Sequence, residues 1–317
     1  MKKVIIKSMM LLACVAGCKQ SDSVVDLSTN GTANCYIVSK SGTYSFPAVK
    51  GNSMDMVGDV CAAEVLWETY CTSESPMVGD LILAVNYEND RIVFQTPKKF
   101  KEGNALIAVK DSDGTILWSW HIWLTDKPGE QIYYNSVAMM DRDLGASDDK
   151  ENGLSYQWGR KDPFVGYGIS STVRHDEEGY SYKKGTVQYS IAHPTTIITT
   201  QVSEYEYVHS GIWERSNQIL WVKNKTIYDP CPAGWRIPDS DIWVKTIKES
   251  IIDMSFYGNC FSKMSGEGDM IYYPSDHYWS TAPYRKTCFR IFGSEYGDGC
   301  DDCDAVGDRG YVRCQKE

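Results

Sequence analysis

Two cysteine-bearing segments constrain the fold of this 317-residue chain more than any other feature. Asp229-Pro-Cys-Pro-Ala-Gly-Trp-Arg-Ile-Pro238 is a Pro/Gly turn that carries Cys231, and Tyr311-Val-Arg-Cys-Gln-Lys-Glu317 predicts a last strand that carries Cys314. If these two cysteines bond, they close a loop of about 80 residues, for which the chain-entropy model gives ~4–5 kcal/mol. We therefore expect a looped C-terminal domain tied at both ends, which suits a binding module better than an enzyme built around a reactive thiol.

The N-terminus has the pattern of an export signal. Met1-Lys-Lys3 is positive, Val4 to Ala16 is mostly apolar, and small residues precede Cys18. The apolar run is shorter than the ~20 residues of a membrane span. The pattern resembles a bacterial lipoprotein signal, with residues 1–17 removed and Cys18 acylated. Cys14 is a second candidate for acylation, and an ordinary secretory signal with an incidental Cys18 is the alternative. Acyl chains would anchor the protein to the outer membrane or cell surface.

Composition restricts the class of partner. The net charge is −10 and the chain has no basic cluster, which argues against a nucleic-acid partner. The 21 tyrosines and 10 tryptophans are residue types favoured at binding surfaces, although most are expected to fill β-sheet cores.

The cysteine count indicates an oxidising compartment. Eleven cysteines are many for a cytosolic protein, and an exported chain can oxidise them. Without Cys14 and Cys18 the number is odd, so at least one stays unpaired or pairs between molecules. The sequence leaves open the pairing of seven: Cys35, Cys61, Cys71, Cys260, Cys288, Cys300 and Cys303.

Short strand-like runs predict a mainly β protein. Residues 18–33 are polar and predict a flexible tether, and residues 34–127 predict an antiparallel β-sandwich. Asp113-Gly114 is the strongest hairpin signal. The run after it alternates along one face, which favours a core role: Ile116, Trp118, Trp120, Ile122 and Leu124.

The second half predicts an α+β domain over residues 130–317. Lys127-Pro-Gly-Glu130 is a polar breaker and the predicted boundary. Residues 165–211 predict a long polar loop region of the kind that often carries function. A helix is predicted after Pro238, capped by Asp239 or Ser240, with apolar residues at helical spacing as far as Met254.

Five motifs occur in an order that resembles one family. They are Asp141-Arg-Asp-Leu-Gly-Ala146, Tyr156-Gln-Trp-Gly-Arg160, Asp229-Pro-Cys-Pro-Ala-Gly-Trp-Arg236, Tyr278-Trp-Ser-Thr281 and Val312-Arg-Cys314. Together they resemble the Fibrobacter succinogenes major paralogous (FISUMP) domain of surface lipoproteins and fimbrial tip proteins of gut Bacteroidetes. The segments 34–38 and 117–123 look like the β-domain that often precedes it.

The resemblance implies a C-type-lectin-like fold closed by a terminal strand, and a Cys231–Cys314 bond matches the end-to-end tie of that fold. It does not extend to the calcium-dependent sugar-binding motifs, because Glu-Pro-Asn, Gln-Pro-Asp and Trp-Asn-Asp do not occur in the chain. A shared fold does not give a shared function.

The candidate sites divide into a tyrosine set and an acidic set. The tyrosines are candidate ligand contacts, with loop packing as the alternative role: Tyr167, Tyr180, Tyr182, Tyr189, Tyr205 and Tyr207. The acidic segment near the C-terminus contains weak metal candidates, with a solvated hairpin as the alternative: Asp298, Asp301, Asp302, Asp304 and Asp308. Within that segment Cys300 could bond Cys303, Cys260 or Cys288. No cofactor is expected.

The sequence therefore predicts a surface-anchored, non-catalytic binding or adhesion protein whose partner is a glycan or host protein, as in a fimbrial tip or accessory subunit. Hydrolase elbow, metalloprotease and phosphate-loop motifs do not occur. The alternatives are a structural pilus-assembly or envelope subunit that contacts other pilus subunits, and a polysaccharide-processing enzyme.

Overall fold

The computed structural model describes residues 23–132, 137–149, 151, 153–166, 169–172, 186–199, 220–239 and 309–317. It also describes the backbone of strands at 176–179, 255–257, 260–264, 270–274, 277–279, 288–292 and 299–303. Over these residues the protein is mainly β, as the sequence predicts. No helix in the described residues is long and apolar enough to cross a bilayer.

The N-terminal half forms two four-stranded sheets. Their strands are β1 (Val25–Asp26), β2 (Cys35–Val38), β3 (Thr43–Pro47), β4 (Ala62–Thr69), β5 (Ala84–Glu88), β6 (Arg91–Gln95), β7 (Gly103–Lys110) and β8 (Ile116–Leu124). One sheet has the order β1-β3-β6-β5 and the other the order β2-β8-β7-β4. The predicted hairpin is confirmed, because β7 and β8 pair antiparallel on either side of Asp113-Gly114.

One hydrophobic cluster contains side chains from both sheets. The alternating residues Trp118, Trp120, Ile122 and Leu124 of β8 are buried in it, which confirms their predicted core role, and Ile116 is half-buried. Phe46 of β3 lies in the same cluster, with its ring centroid 5.3 Å from that of Trp120. Burial of aromatic groups this large is a main source of stability in a β core.

Two strand pairs differ from the predicted antiparallel arrangement. β2 runs parallel to β8, and β1 runs parallel to β3. The predicted tether is therefore too long, because residues 25 and 26 already belong to a sheet. Leu27 N–H extends this pairing by donating to the Ser45 carbonyl, and Arg91 forms an ion pair with Asp26. The polar composition of this segment gave no signal for a strand whose partner lies about twenty residues away.

The C-terminal half consists of short strands and one short helix. They are β9 (Glu130–Ile132), β10 (Ala138–Met140), β11 (Ser155–Gln157), β12 (Asp176–Gly179), α1 (Val187–Ala192), β13 (Thr196–Thr199), β14 (Trp235–Arg236), β15 (Ser255–Tyr257), β16 (Cys260–Met264), β17 (Met270–Pro274), β18 (His277–Trp279), β19 (Cys288–Phe292), β20 (Gly299–Cys303), β21 (Arg309–Tyr311) and β22 (Gln315–Lys316). The sheet orders are β14-β22-β10-β9, β11-β21-β18-β19-β20, β15-β16-β17 and β12-β13.

Two details of this half differ from the prediction, and a third predicted feature falls outside the described residues. Cys314 lies between β21 and β22 instead of inside a last strand, and its carbonyl accepts a hydrogen bond from Met140 N–H. The region predicted as one long loop contains β12, α1 and β13. The helix predicted after Pro238 falls on residues 240–254, which are outside the described residues.

A second hydrophobic cluster joins the two halves across the predicted boundary at 127–130. Cys35, Trp67, Leu106 and Trp123 contribute to it from the sheet β2-β8-β7-β4. The C-terminal half contributes Met140, Leu144, Leu154, Tyr156, Trp158, Trp221, Cys231, Val312 and Cys314. Because successive residues of a strand point to opposite faces, β8 supplies Trp120 and Ile122 to one cluster and Trp123 to the other. The halves predicted as separate domains therefore share one core.

Candidate functional site

The Cys231 turn is held by one buried carboxylate. The Asp229 side chain accepts hydrogen bonds from Cys231 N–H at 2.8 Å and from Ile237 N–H at 2.9 Å. These two bonds fix the start and the end of the Pro/Gly turn. The sulfur of Cys231 is bonded to that of Cys314, as expected, with both residues fully buried. The bond spans 83 residues, and the chain-entropy model gives ~4–5 kcal/mol for a loop of that length.

Lys225 covers the carbonyl side of the same turn. Its ammonium donates to the carbonyls of Cys231 and Pro232, at 3.1 and 2.7 Å, and also to that of Trp235. Burial raises the pKa of Asp229 to about 6, although Lys225 and the two N–H donors oppose the shift. Burial also lowers the pKa of Lys225, with Asp229 opposing. The turn is thus held from one side by the buried Asp229 carboxylate and from the other by the half-buried Lys225 ammonium.

The buried side chains of Gln157 and Arg160 support residues 186–199 through hydrogen bonds. The Arg160 guanidinium donates to the carbonyls of Thr196 at 2.6 Å and His193 at 3.1 Å, and it also approaches those of Ser190 and Pro194. Of these carbonyls, that of Ser190 belongs to the last turn of α1, where carbonyls lack helical partners, and the other three follow the helix. Burial lowers the pKa of Arg160 to about 10, so it remains charged at neutral pH.

Gln157 fixes the strand that follows α1. Its side-chain amide donates to the Ile198 carbonyl at 2.7 Å and accepts from Ile198 N–H at 3.1 Å, so it replaces a neighbouring strand. It also accepts from Arg160 at 3.0 Å. Gln157 and Arg160 are 1% and 2% exposed, so water hardly competes for these bonds. We call residues 186–199 the anchored segment.

Tyr189 is the one predicted tyrosine contact within the described residues, and it lies in α1. The side chain of Thr186 caps the helix by accepting from Tyr189 N–H at 3.1 Å. The Tyr189 ring stacks on His193 at a centroid distance of 4.0 Å and packs against the shared core. Because the side chain is half-buried, part of the ring supports the segment and part is open to solvent.

Two polar clusters connect the N-terminal sheet to the C-terminal half. In the first, Lys161 donates to the Asp162 carboxylate at 2.6 Å and to the Ser119 hydroxyl at 2.7 Å. The Ser119 hydroxyl in turn donates to Asp162 at 2.6 Å. Burial lowers the pKa of Lys161 to about 8, with Asp162 opposing. We call Lys161, Asp162 and Ser119 the seam cluster. Because Ser119 belongs to β8, this cluster bridges the predicted boundary between the two halves.

The second cluster contains a thiol, an amide and an imidazole. Asn104 donates to the Cys71 sulfur at 3.0 Å and to the Gly145 carbonyl at 2.9 Å, and its oxygen lies 2.8 Å from His121 Nε2. Burial lowers the pKa of His121 to about 3 and raises that of Cys71 to about 12. At neutral pH this cluster therefore holds a neutral imidazole and a protonated thiol, which suits packing better than nucleophilic chemistry.

The family-like motifs supply several of these buried groups, among them Asp229, Gln157 and Arg160. Asp143 of the first motif forms an ion pair with Arg313 of the last at 2.7 Å, with both side chains fully buried. Gly145 has φ +87°, and a Cβ there would lie 2.6 Å from Leu154. Sequence reasoning singled out these segments but missed the roles of the individual residues. A charge between apolar residues, as at Arg313 between Val312 and Cys314, was the available signal of a buried ion, whereas Arg160 is followed by Lys161 and Asp162 and gave none.

The other predicted site residues fall mostly outside the described residues. These are Cys18, Tyr167, Tyr180, Tyr182, Tyr205, Tyr207, Asp298, Asp304 and Asp308. Asp301 and Asp302 lie in β20, opposite Arg290 and Phe289 of β19. Where side chains are described, no group of three His, Cys, Asp or Glu residues could hold a metal ion.

Comparisons with known proteins give no relative. No protein-family model, curated protein or solved structure matches the chain.

Proposed function

We propose that this protein is a surface-anchored, non-catalytic binding lipoprotein that presents loops of its C-terminal half to a glycan or protein, in the manner of a fimbrial tip or accessory subunit. In this proposal a β-sandwich is followed by a C-type-lectin-like domain of the FISUMP type. An acylated Cys18 holds the chain at the outer membrane or cell surface.

The anchored segment carries the argument for binding. Arg160 and Gln157 fix the backbone of residues 186–199 through buried hydrogen bonds, while Tyr189 remains half-exposed on that segment. A loop that is ordered before it meets its ligand loses less conformational entropy on binding. Tyrosine adds a large contact area and a hydroxyl with few rotatable bonds. A backbone that buried hydrogen bonds hold in place, and that carries a partly exposed aromatic ring, is suited to ligand recognition.

Two further observations support the proposed architecture. The two N-terminal sheets share one hydrophobic cluster, as the layers of a sandwich do. The Cys231–Cys314 bond ties the Pro/Gly turn to the C-terminal segment, which matches the end-to-end tie that the resemblance implies. The motifs Tyr156-Gln-Trp-Gly-Arg160 and Val312-Arg-Cys314 also provide buried contacts of this region.

The binding test uses the soluble chain that begins at residue 23, so that β1 is retained, on glycan and host-protein arrays. We expect a specific signal that Tyr189→Ala weakens at least tenfold. Tyr87→Ala is the matched control, because Tyr87 is another half-exposed tyrosine but lies on β5. A folded chain that binds nothing on either array would argue against the proposal.

The anchoring test is separate. Cys18→Ser should release the protein from the membrane fraction, and Cys14→Ser should leave it attached. Unchanged attachment of Cys18→Ser, measured by fractionation and immunoblotting, would refute lipidation at this position.

One observation favours a structural role as the second candidate. β5 lies at the edge of its sheet, and Ala84, Asn86 and Glu88 alternate as its exposed residues. An edge strand can accept an added strand from a neighbouring subunit. Co-purification with pilus subunits, and its loss when Asn86→Pro blocks the edge, would favour assembly over ligand binding.

A further inference from the structure

One hairpin of the C-terminal half places two cysteines opposite each other. β19 and β20 pair antiparallel, and the Cα atom of Cys288 is the register partner of the Cα atom of Cys303. Directly opposed residues of an antiparallel pair have Cα atoms about 4.5–5.5 Å apart. A disulfide requires a Cα separation of about 4.4–6.8 Å. The backbone of this hairpin therefore satisfies the distance condition for a bond.

In the described strands, none of the other pairings that the sequence leaves open has its cysteines opposite each other. Cys300 is opposite Ile291, and it lies three steps along one strand from Cys303. Three steps of an extended strand span about 10 Å, which exceeds the limit of about 7 Å for a disulfide. Cys260 is opposite Tyr257 on one side and Pro274 on the other. Among the described strands, only Cys288 and Cys303 are opposed as a cysteine pair.

We propose that Cys288 and Cys303 form a second disulfide, which closes the β19–β20 hairpin at the end where β19 begins and β20 ends. Each thiol loses one proton and one electron. A protein disulfide of an exported thiol oxidase accepts them and becomes a dithiol. This proposal rests on strand register and does not depend on the proposed binding function.

The bond has a structural reason within its sheet. β20 is the last strand in the order β11-β21-β18-β19-β20, and among the described strands it pairs with β19 only. A covalent link at one end prevents β20 from slipping, and a slip of one residue would reverse the faces of Asp301 and Asp302. The link therefore fixes the register of the acidic residues near the C-terminus.

Peptide mapping of the full-length protein tests the proposal. Free thiols are blocked with N-ethylmaleimide during denaturation, so that buried thiols are modified as well, and the protein is digested with trypsin without reduction. Trypsin separates residues 287–290, which contain Cys288, from residues 291–309, which contain Cys300 and Cys303. We expect one cross-linked species of these two peptides that disappears on reduction. A second digestion before aspartate separates Cys300 from Cys303 and identifies the bonded residue.

Matched variants give a second measurement. Cys300→Ser should retain the cross-linked species, and Cys303→Ser should lose it. The proposal is overturned if Cys288 is linked to Cys300 or if Cys300 and Cys303 are bonded within peptide 291–309. It is also overturned if Cys288 carries the maleimide in material in which the Cys231–Cys314 link is intact. The wild-type map decides the question even if Cys303→Ser does not fold.

Discussion

Removal of the Lys161 ammonium would leave the Asp162 carboxylate buried in the seam cluster without its cation. The two side chains are 2% and 3% exposed, and the ammonium donates to Asp162, to the Ser119 hydroxyl and to the Ser119 carbonyl. Loss of one partner of a buried pair costs about 3–5 kcal/mol, because the other charge stays buried and uncompensated. Methionine fills most of the volume of the lysine stem, so Lys161→Met should add little cavity cost.

The double variant Lys161→Met/Asp162→Asn separates charge burial from packing. It removes both charges, so only neutral buried groups are left without a hydrogen-bond partner. Each such group costs about 1–3 kcal/mol of stability. We therefore expect it to be less destabilised than Lys161→Met, with a coupling energy of at least about 1.5 kcal/mol. The same comparison would give additive losses if the two residues acted independently.

Guanidinium unfolding of the chain from residue 23, followed by tryptophan fluorescence, measures these free energies. Lys110→Met is the matched control, because the Lys110–Glu64 pair is 29% and 41% exposed. An exposed pair contributes about 1 kcal/mol or less. The reasoning is refuted if Lys161→Met costs no more than Lys110→Met, or if the two single variants add to the double.

Three other variants test the anchored segment and the Cys231 turn. Cys231→Ala should lower the free energy of unfolding by ~4–5 kcal/mol, and a reductant should destabilise the wild type more than the variant, which lacks this bond. Equal sensitivity to reductant would contradict this. Arg160→Met should lower the free energy of unfolding by at least about 3 kcal/mol, because it leaves buried carbonyls without a donor. It should also raise hydrogen exchange in residues 186–199 before it raises exchange in β7 and β8. Uniform acceleration of exchange would contradict an anchoring role. Folding raises the pKa of Asp229 from 3.8 to about 6, so the folded state binds the proton more tightly than the unfolded state. The free energy of unfolding should therefore fall as the pH rises between these values, by at most about 3 kcal/mol. Asp229→Asn should lack this fall in unfolding measured from pH 3.5 to 7, and an unchanged profile would refute the assignment.

The sequence predicted the features that depend on local pattern. Alternation identified the core face of β8, and Asp113-Gly114 identified the β7–β8 hairpin, because a strand period and a turn residue act over a few positions. The Cys231–Cys314 tie could be anticipated because the turn and the chain end are both recognisable in the sequence.

The local sequence pattern could not predict strand pairings between residues that are distant in the sequence. The segment of β1 is predicted as tether, because its partner strand lies about twenty residues away and its ion pair with Arg91 is more distant still. The six-residue helix α1 is too short for an apolar period, and it depends on the Thr186 cap and on Arg160. These elements gain their free energy from tertiary contacts instead of intrinsic propensity.

The candidate site shows the same division. The sequence by itself determined which segments matter, since Gly, Pro, Cys and aromatic residues mark turns and buried strands wherever they occur. Only the tertiary structure decided that Gln157 and Arg160 support residues 186–199, and that Lys161 and Asp162 join Ser119 across the predicted boundary. A buried charge is tolerated only where distant parts of the chain supply its partners, and those partners are defined by the fold and not by neighbours in sequence.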